Sequence, residues 1–160
     1  MEVTAYVALG TNLGDLKENL DGALQRLREK GLQITKVSAY IDTEPYGFTD
    51  QPRFLNAVCE VQTELLPRQL LEMLLQTELE MGRVRLRRWG ERIIDLDLLF
   101  YGSEIINDPD LTVPHPDMQN RDFVLRPLAE IAPDKVHPLL HKTIGQLWQE
   151  YLEKKDTNEV

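Results

Sequence analysis

From Val3 to Leu9 the apolar side chains recur every second residue, and from Leu16 to Leu27 they recur every three or four. A strand cannot satisfy the second period nor a helix the first, so this switch constrains the fold more than any other feature. Val3, Ala5, Val7 and Leu9 alternate with Thr4, Tyr6 and Ala8, which predicts a strand ending at Gly10. Gly10 to Gly14 reads as a turn, because it lacks both the Gly-Lys-Ser/Thr ending of a P-loop and the spacing of a dinucleotide fingerprint. Asp15 and Glu18 then have the spacing of a capping box, and Leu16, Leu20, Ala23, Leu24 and Leu27 predict an amphipathic helix up to Gly31. Period two returns from Ile34 to Ile41 and from Phe54 to Thr63, with a turn-rich loop from Thr43 to Pro52 between them. Pro67 suits a first helical turn, Leu70, Leu71, Leu74, Leu75 and Leu79 follow, and Gly82 is placed to end the helix. Ile93 to Tyr101 predicts another strand, with Gly102-Ser103 as a turn into a short partner at Glu104 to Ile106.

The order β-α-β-β-α-β predicts an α+β fold, a ferredoxin-like antiparallel sheet with helices packed on it. A helical C-terminal segment follows. Leu111 to Pro116 reads as a proline-broken loop, Arg121 to Ile131 as a helix limited by Pro127, and Thr143 to Leu152 as a closing helix, with Lys154 to Val160 as a frayed tail. At 160 residues the chain is expected to form a single domain over 1–160. No run approaches the roughly 18 apolar residues of a membrane span, and the N-terminus carries no leader pattern. One cysteine, Cys59, rules out a disulfide framework and suits a reducing cytoplasm. A net charge of −9 argues against nucleic acid or an anionic membrane as partner. Small molecules and a monomeric state are expected instead.

Chemistry concentrates between residues 83 and 97. Along Ile93 to Phe100, period two puts Ile94, Leu96, Leu98 and Phe100 on one face and Asp95 with Asp97 on the other. The two Cβ atoms lie about 6 to 7 Å apart by the strand rise, suited to a common cation cluster. A solvated strand face is the bland alternative, but aspartate is depleted in strands and the flanks are strongly apolar. Magnesium is the expected metal, since it takes oxygen ligands and completes its shell with substrate phosphate. Five of the eleven arginines (Arg83, Arg85, Arg87, Arg88 and Arg92) fall just upstream with a single acid, Glu91. Cations and a hard-metal site side by side favour a nucleoside triphosphate over a merely solvated basic loop. Trp89 in that loop is either a docking anchor or an aromatic lid, and the glycines at both ends suggest a lid from Gly82 to Arg92. His115, held between Pro114 and Pro116, is either a phosphate donor or simply exposed. Phe54, Asn56 and Phe123 offer aromatic faces and an amide to a planar heterocycle, or serve as core.

From Arg88 to Leu99 the sequence RWGERIIDLDLL closely resembles the signature of the 6-hydroxymethyl-7,8-dihydropterin pyrophosphokinase family of folate biosynthesis. Three further segments resemble the family in the same order: Tyr6 to Gly14, then Thr43-Glu44-Pro45 with Asp50 to Val58, then Leu111 to Pro116 with Arg121 to Leu125. The resemblance covers roughly residues 5 to 133. Thr11 stands where serine is usual and Glu91 where proline is frequent. The resemblance implies transfer of pyrophosphate from ATP to the pterin hydroxymethyl group, with AMP as the other product and two magnesium ions as cofactors. It implies Asp95 and Asp97 as metal ligands, Arg83 and Arg92 as catalytic charge stabilisers, and Trp89 in the family's catalytic loop. The pterin would meet Phe54, Asn56, Phe123 and the stretch Thr43, Glu44 and Tyr46. ATP would meet Glu78, Arg85, Arg88, Leu98, Thr112, His115 and Arg121.

Phosphoryl-type transfer needs metals, arginines and positioning rather than a nucleophilic side chain, and no activated serine or cysteine pattern is evident. A ferredoxin-like RNA-binding module would instead require basic charge and an aromatic sheet motif, whereas this chain is acidic and lacks the motif. A two-metal hydrolase using the same aspartates would consume ATP without pterin.

Overall fold

The computed structural model describes residues 1–43, 53–82 and 93–158. Among them the strands are β1 (Val3–Thr11), β2 (Gln33–Val37), β3 (Ile41–Thr43), β4 (Phe54–Thr63), β5 (Asp95–Tyr101), β6 (Ile106–Asp108) and β7 (Leu111–Val113). The helices are α1 (Leu16–Glu29), α2 (Pro67–Glu80), α3 (Asp122–Ile131) and α4 (Ile144–Asn158), with a 3-10 turn at Met118–Asn120. The main sheet runs β2-β4-β1-β5, and β3 also pairs with β4; every pairing is antiparallel. Each β-α-β unit is split: β4 lies between β1 and β2, and β1 lies between β4 and β5. That is the ferredoxin-like arrangement expected from the switches of period.

The local signals sit where they should. Asp15 Oδ1 accepts from the Glu18 amide at 3.1 Å to start α1, and Pro67 opens α2 while the Gln69 side chain accepts from the Leu66 amide at 2.8 Å. Gly82, at φ +77°, ends α2 in a conformation that side chains with a Cβ rarely adopt. Leu20, Leu27, Leu70 and Leu74 of the two helices are fully buried against Ala5, Val7 and Leu9 of β1 and Ala57, Cys59 and Val61 of β4. Each such leucine contributes roughly 2 kcal/mol of apolar transfer.

The opposite face carries a second core: Tyr6, Val58, Leu99 and Phe100 of the sheet meet Val124, Leu125 and Leu128 of α3 and Ile144 and Leu147 of α4. The sheet is thus covered on both faces, with the site-bearing ends of β1, β4 and β5 beyond the second core.

Five local expectations change. The segment from Ile34 to Ile41 is two strands, because the chain leaves the ladder at Ser38, whose hydroxyl accepts from the Val58 amide at 2.9 Å. Strand β5 begins at Asp95, two residues after the expected start, although Ile94 is fully buried. A bulge lies in β5: Tyr6 faces Phe100 while Val7 faces Leu98, leaving Leu99 as the extra residue. Phe100 therefore joins the second core, edge-on to Tyr6 at 6.1 Å between centroids, and not the face of Leu96 and Leu98. Gly102-Ser103 does not close a hairpin on β5; the next strand, β6, pairs with β7, which occupies the first half of the expected loop from Leu111 to Pro116. Helix α3 reaches Ile131 as expected with Pro127 inside it, since burial of Val124, Leu125, Pro127 and Leu128 outweighs the lost backbone bond. Finally, the expected tail is helical through Asn158, in a helix launched by a capping pair in which Thr143 Oγ1 accepts from the Gln146 amide at 3.1 Å and Gln146 Oε1 accepts from the Thr143 amide at 2.8 Å.

Candidate active site

Strand register assembles the site. Gly10 of β1 pairs with Asn56 of β4 on one side and with Asp95 of β5 on the other, and one step along the strand Ala8 pairs with Val58 and Asp97. Since Leu9, Leu96 and Leu98 point into the helix-covered core, Asn56, Asp95 and Asp97 share the other face. The two aspartates are partly buried and lie where that face emerges beyond the second core.

Gly10 is what lets the row close up. A Cβ there would lie 2.7 Å from Asn56 Oδ1 and 3.7 Å from Phe54 Cδ1, so the side chains of β4 lean over the bare backbone of β1. Asn56 is 6% exposed and its amide donates to Thr43 Oγ1 across the β3–β4 pair. Thr43, Phe54 and Asn56, three residues singled out in the sequence, are therefore together, one strand away from Asp95. Gly10 and Thr11 still belong to β1, so the expected turn shrinks to 12–14, where it is stapled by Asn19, whose Nδ2 donates to Thr11 Oγ1 at 3.0 Å and to the Leu13 carbonyl at 2.7 Å.

On the other flank the chain passes through a cis Val113–Pro114 peptide to His115, whose amide donates to the Leu99 carbonyl of β5 at 2.9 Å. Burial, helped by the Arg121 charge and opposed by Asp117, lowers the His115 pKa to about 4, so its ring is neutral at pH 7. Arg121 sits at the start of α3, with its Nε 3.4 Å from Asp117 Oδ2 and its guanidinium 5.7 Å from the Phe123 ring centroid. Phe123 packs on the same cluster as Ala8, on the aspartates' face of the sheet. Thr112 lies on β7, and that hairpin is tied to α2 by Arg68, which reaches Asp110 at 2.6 Å and Asp108 at 2.7 Å.

Two residues differ from a simple ligand-facing picture. The side chain of Leu98 is in the helix-covered core, leaving only its backbone for a ligand, and Glu78 is 3% exposed with its carboxylate on the Leu96 amide at 2.7 Å. Glu44, Tyr46, Arg83, Arg85, Arg88, Trp89 and Arg92 lie outside the described residues, as does the segment expected to act as a lid. Gly10 as a cradle for Asn56 escaped the sequence reading; a glycine inside a strand pattern was its only signal. Among the described residues no group of three or more potential ligands forms a ready metal cage. Two carboxylates on one strand face do fit magnesium, which takes one or two protein carboxylates and leaves the rest of its shell to water and phosphate.

A family model described as 7,8-dihydro-6-hydroxymethylpterin-pyrophosphokinase (HPPK) matches residues 6–133. The chain belongs to this family. Its relatives include the Haemophilus influenzae 2-amino-4-hydroxy-6-hydroxymethyldihydropteridine pyrophosphokinase, 50% identical over 137 residues, covering 85% of this chain and 86% of that one. The Bacillus subtilis enzyme of the same description is 47% identical over 132 residues, 82% and 79% of the two chains. The match to the Pneumocystis carinii folic acid synthesis protein fol1 is 43% over 148 residues and spans 92% of this chain but 20% of that protein. In fold, the chain superimposes over its whole length on 44% of a Plasmodium falciparum HPPK-DHPS crystal structure with pteroate, at a TM-score of 0.80 and 18% identity. This HPPK transfers pyrophosphate from ATP to the hydroxymethyl group of 6-hydroxymethyl-7,8-dihydropterin in folate synthesis, and AMP is the other product. Among the described residues no helix is long and apolar enough to cross a membrane.

Proposed function

We propose that the HPPK reaction runs over the shared face of β1, β4 and β5, with Asp95 and Asp97 holding two magnesium ions. The observation that carries this reading is the cross-strand row Asn56, Gly10, Asp95, with Asp97 one step along. It sets the Asn56 amide and the Phe54 ring over bare Gly10 backbone beside two carboxylates. The pterin lies over Gly10, flanked by Phe54 and Phe123 and hydrogen-bonded by Asn56 and by the backbone from Thr43 through Glu44 to Tyr46. ATP occupies the β5 and β7 side, where Thr112, His115 and Arg121 meet it together with the Leu98 backbone, Arg85 and Arg88. A neutral His115 suits donation to phosphate without adding a charge. Arg83 and Arg92 offset charge as the bond between the β-phosphorus and the bridging oxygen of AMP breaks, and Trp89 covers the substrates. The bond that forms joins the pterin hydroxymethyl oxygen to the β-phosphorus, and the hydroxyl proton leaves to solvent. Magnesium, when bound, supplies charge neutralisation and alignment of the phosphates. Use of ATP supports a cytoplasmic location, and two small substrates ask for no more than a monomer.

Asp95→Asn and Asp97→Asn test this reading. Each should leave thermal stability close to that of the parent while abolishing magnesium-dependent formation of AMP and pterin diphosphate, followed by phosphorus NMR. A folded variant that still turns over removes the aspartates from the metal site.

A further inference from the structure

Glu78 stands out because a charged side chain is buried in the last turn of α2, and its described contact is with the protein's own backbone. Its Oε2 accepts from the Leu96 amide at 2.7 Å, and Leu96 is the residue between Asp95 and Asp97. Among the described residues strand β5 is the last of its sheet and pairs only with β1. Successive amides of a strand point to opposite edges, so the Leu96 amide faces away from β1, and the backbone groups of Asp95 and Asp97 face toward it. At this point Glu78 takes the place that a neighbouring strand would fill. Farther along the same edge the His115 amide holds the Leu99 carbonyl at 2.9 Å. A buried amide needs an acceptor, and a carboxylate is a stronger one than a carbonyl.

We propose that Glu78 is a positioning residue: by clamping the Leu96 amide it fixes the backbone between the two aspartates, and hence the spacing and aim of their carboxylates toward metal-bound nucleotide. The proposal rests on the reading of Asp95 and Asp97 as metal ligands.

Two variants and two readouts separate it from a direct ATP contact. Glu78→Leu removes the acceptor, and Glu78→Gln keeps one without the charge. In the metal-free, nucleotide-free protein, amide hydrogen exchange by NMR should be at least about tenfold faster at Leu96 in Glu78→Leu, with the core amides of Val7 and Val58 unchanged. Manganese binding in the presence of a non-hydrolysable ATP analogue, followed by electron paramagnetic resonance, should weaken by about tenfold in the same variant, and Glu78→Gln should recover most of both losses. If Glu78→Leu does not fold, the parent and Glu78→Gln decide: rapid exchange at Leu96 in the parent overturns the clamp. So does a folded Glu78→Leu with parental exchange and metal affinity, and so does a Glu78→Gln protein that protects Leu96 yet binds manganese no better than Glu78→Leu, which would put the charge on the ligand itself. Asp95→Asn and Asp97→Asn are measured alongside. Unchanged manganese binding in both would overturn the metal reading and the proposal with it, whereas loss there with no effect of Glu78→Leu overturns the proposal alone.

Discussion

Replacing Gly10 with alanine tests the pterin recess with a single methyl group. The new Cβ would lie 2.7 Å from Asn56 Oδ1, some 0.7 Å inside ordinary contact, so Asn56 must swing away and lose its bond to Thr43. Phe54, at 3.7 Å, needs no adjustment. Losing one part-buried hydrogen bond and crowding its neighbour costs about 1 to 2 kcal/mol, and removing glycine from a strand returns about 0.5 to 1. The net destabilisation is then about 1 kcal/mol, or about 2 to 4 °C in Tm for a chain of this size. Binding should suffer more than folding, because the displaced amide is the group offered to the pterin. One lost polar contact of about 1 to 1.5 kcal/mol raises the pterin Kd about fivefold to tenfold. Calorimetric titration with hydroxymethyl-dihydropterin beside a magnesium-bound ATP analogue, together with a titration of the analogue alone, measures both sides of the site. Parental pterin affinity in Gly10→Ala, or an equal loss for the nucleotide, would refute this account of the recess.

His115 gives a pH dependence with a definite sign. Its folded pKa of about 4 lies below the unfolded value near 6.5, so the unfolded chain binds the extra proton and stability falls as pH drops from about 6.5 to about 4. Urea titrations at pH 7.5 and 4.5 should show a loss on the order of 1 to 3 kcal/mol from this group, and His115→Gln should shrink that difference; an undiminished difference would mean that other groups carry it. At Ser38 the hydroxyl accepts from the buried Val58 amide, so Ser38→Ala leaves that amide without its acceptor and should lower Tm by roughly 4 to 8 °C in calorimetry, a fall that a parental melting curve would contradict.

Periodicity carried the layered α+β arrangement and the common face of Asp95 and Asp97, because each depends on neighbours along one strand or helix. The bulge at Leu99 left no trace in the pattern: Leu98, Leu99 and Phe100 are all apolar, and a run without contrast has no phase to lose. The break at Ser38 was equally silent, since Ser38-Ala39-Tyr40 holds neither glycine nor proline, and the chain is held there by Val58 from β4 and by Glu130 from α3, which accepts from the Ala39 amide at 3.0 Å. Phe54 and Asn56 were singled out by residue type and Thr43 through resemblance to a family, none of them through spacing, for only cross-strand register brings them together. Glu78 reads in sequence as one more charge on a helix. Its burial depends on where β5 lies, which no local window contains.

The family model's match ends at residue 133, yet the second core does not. Ile144 and Leu147, fully and almost fully buried, close over Phe100 and Leu128 from a helix that begins eleven residues past that point. A boundary drawn at residue 133 would therefore cut through an interior and leave Leu99 and Phe100 of β5 wet. The face that carries the aspartates at one end of β5 is thus kept dry at the other by a helix beyond the matched region, so truncation after residue 133 should loosen the aspartates' strand while sparing every residue assigned to the site.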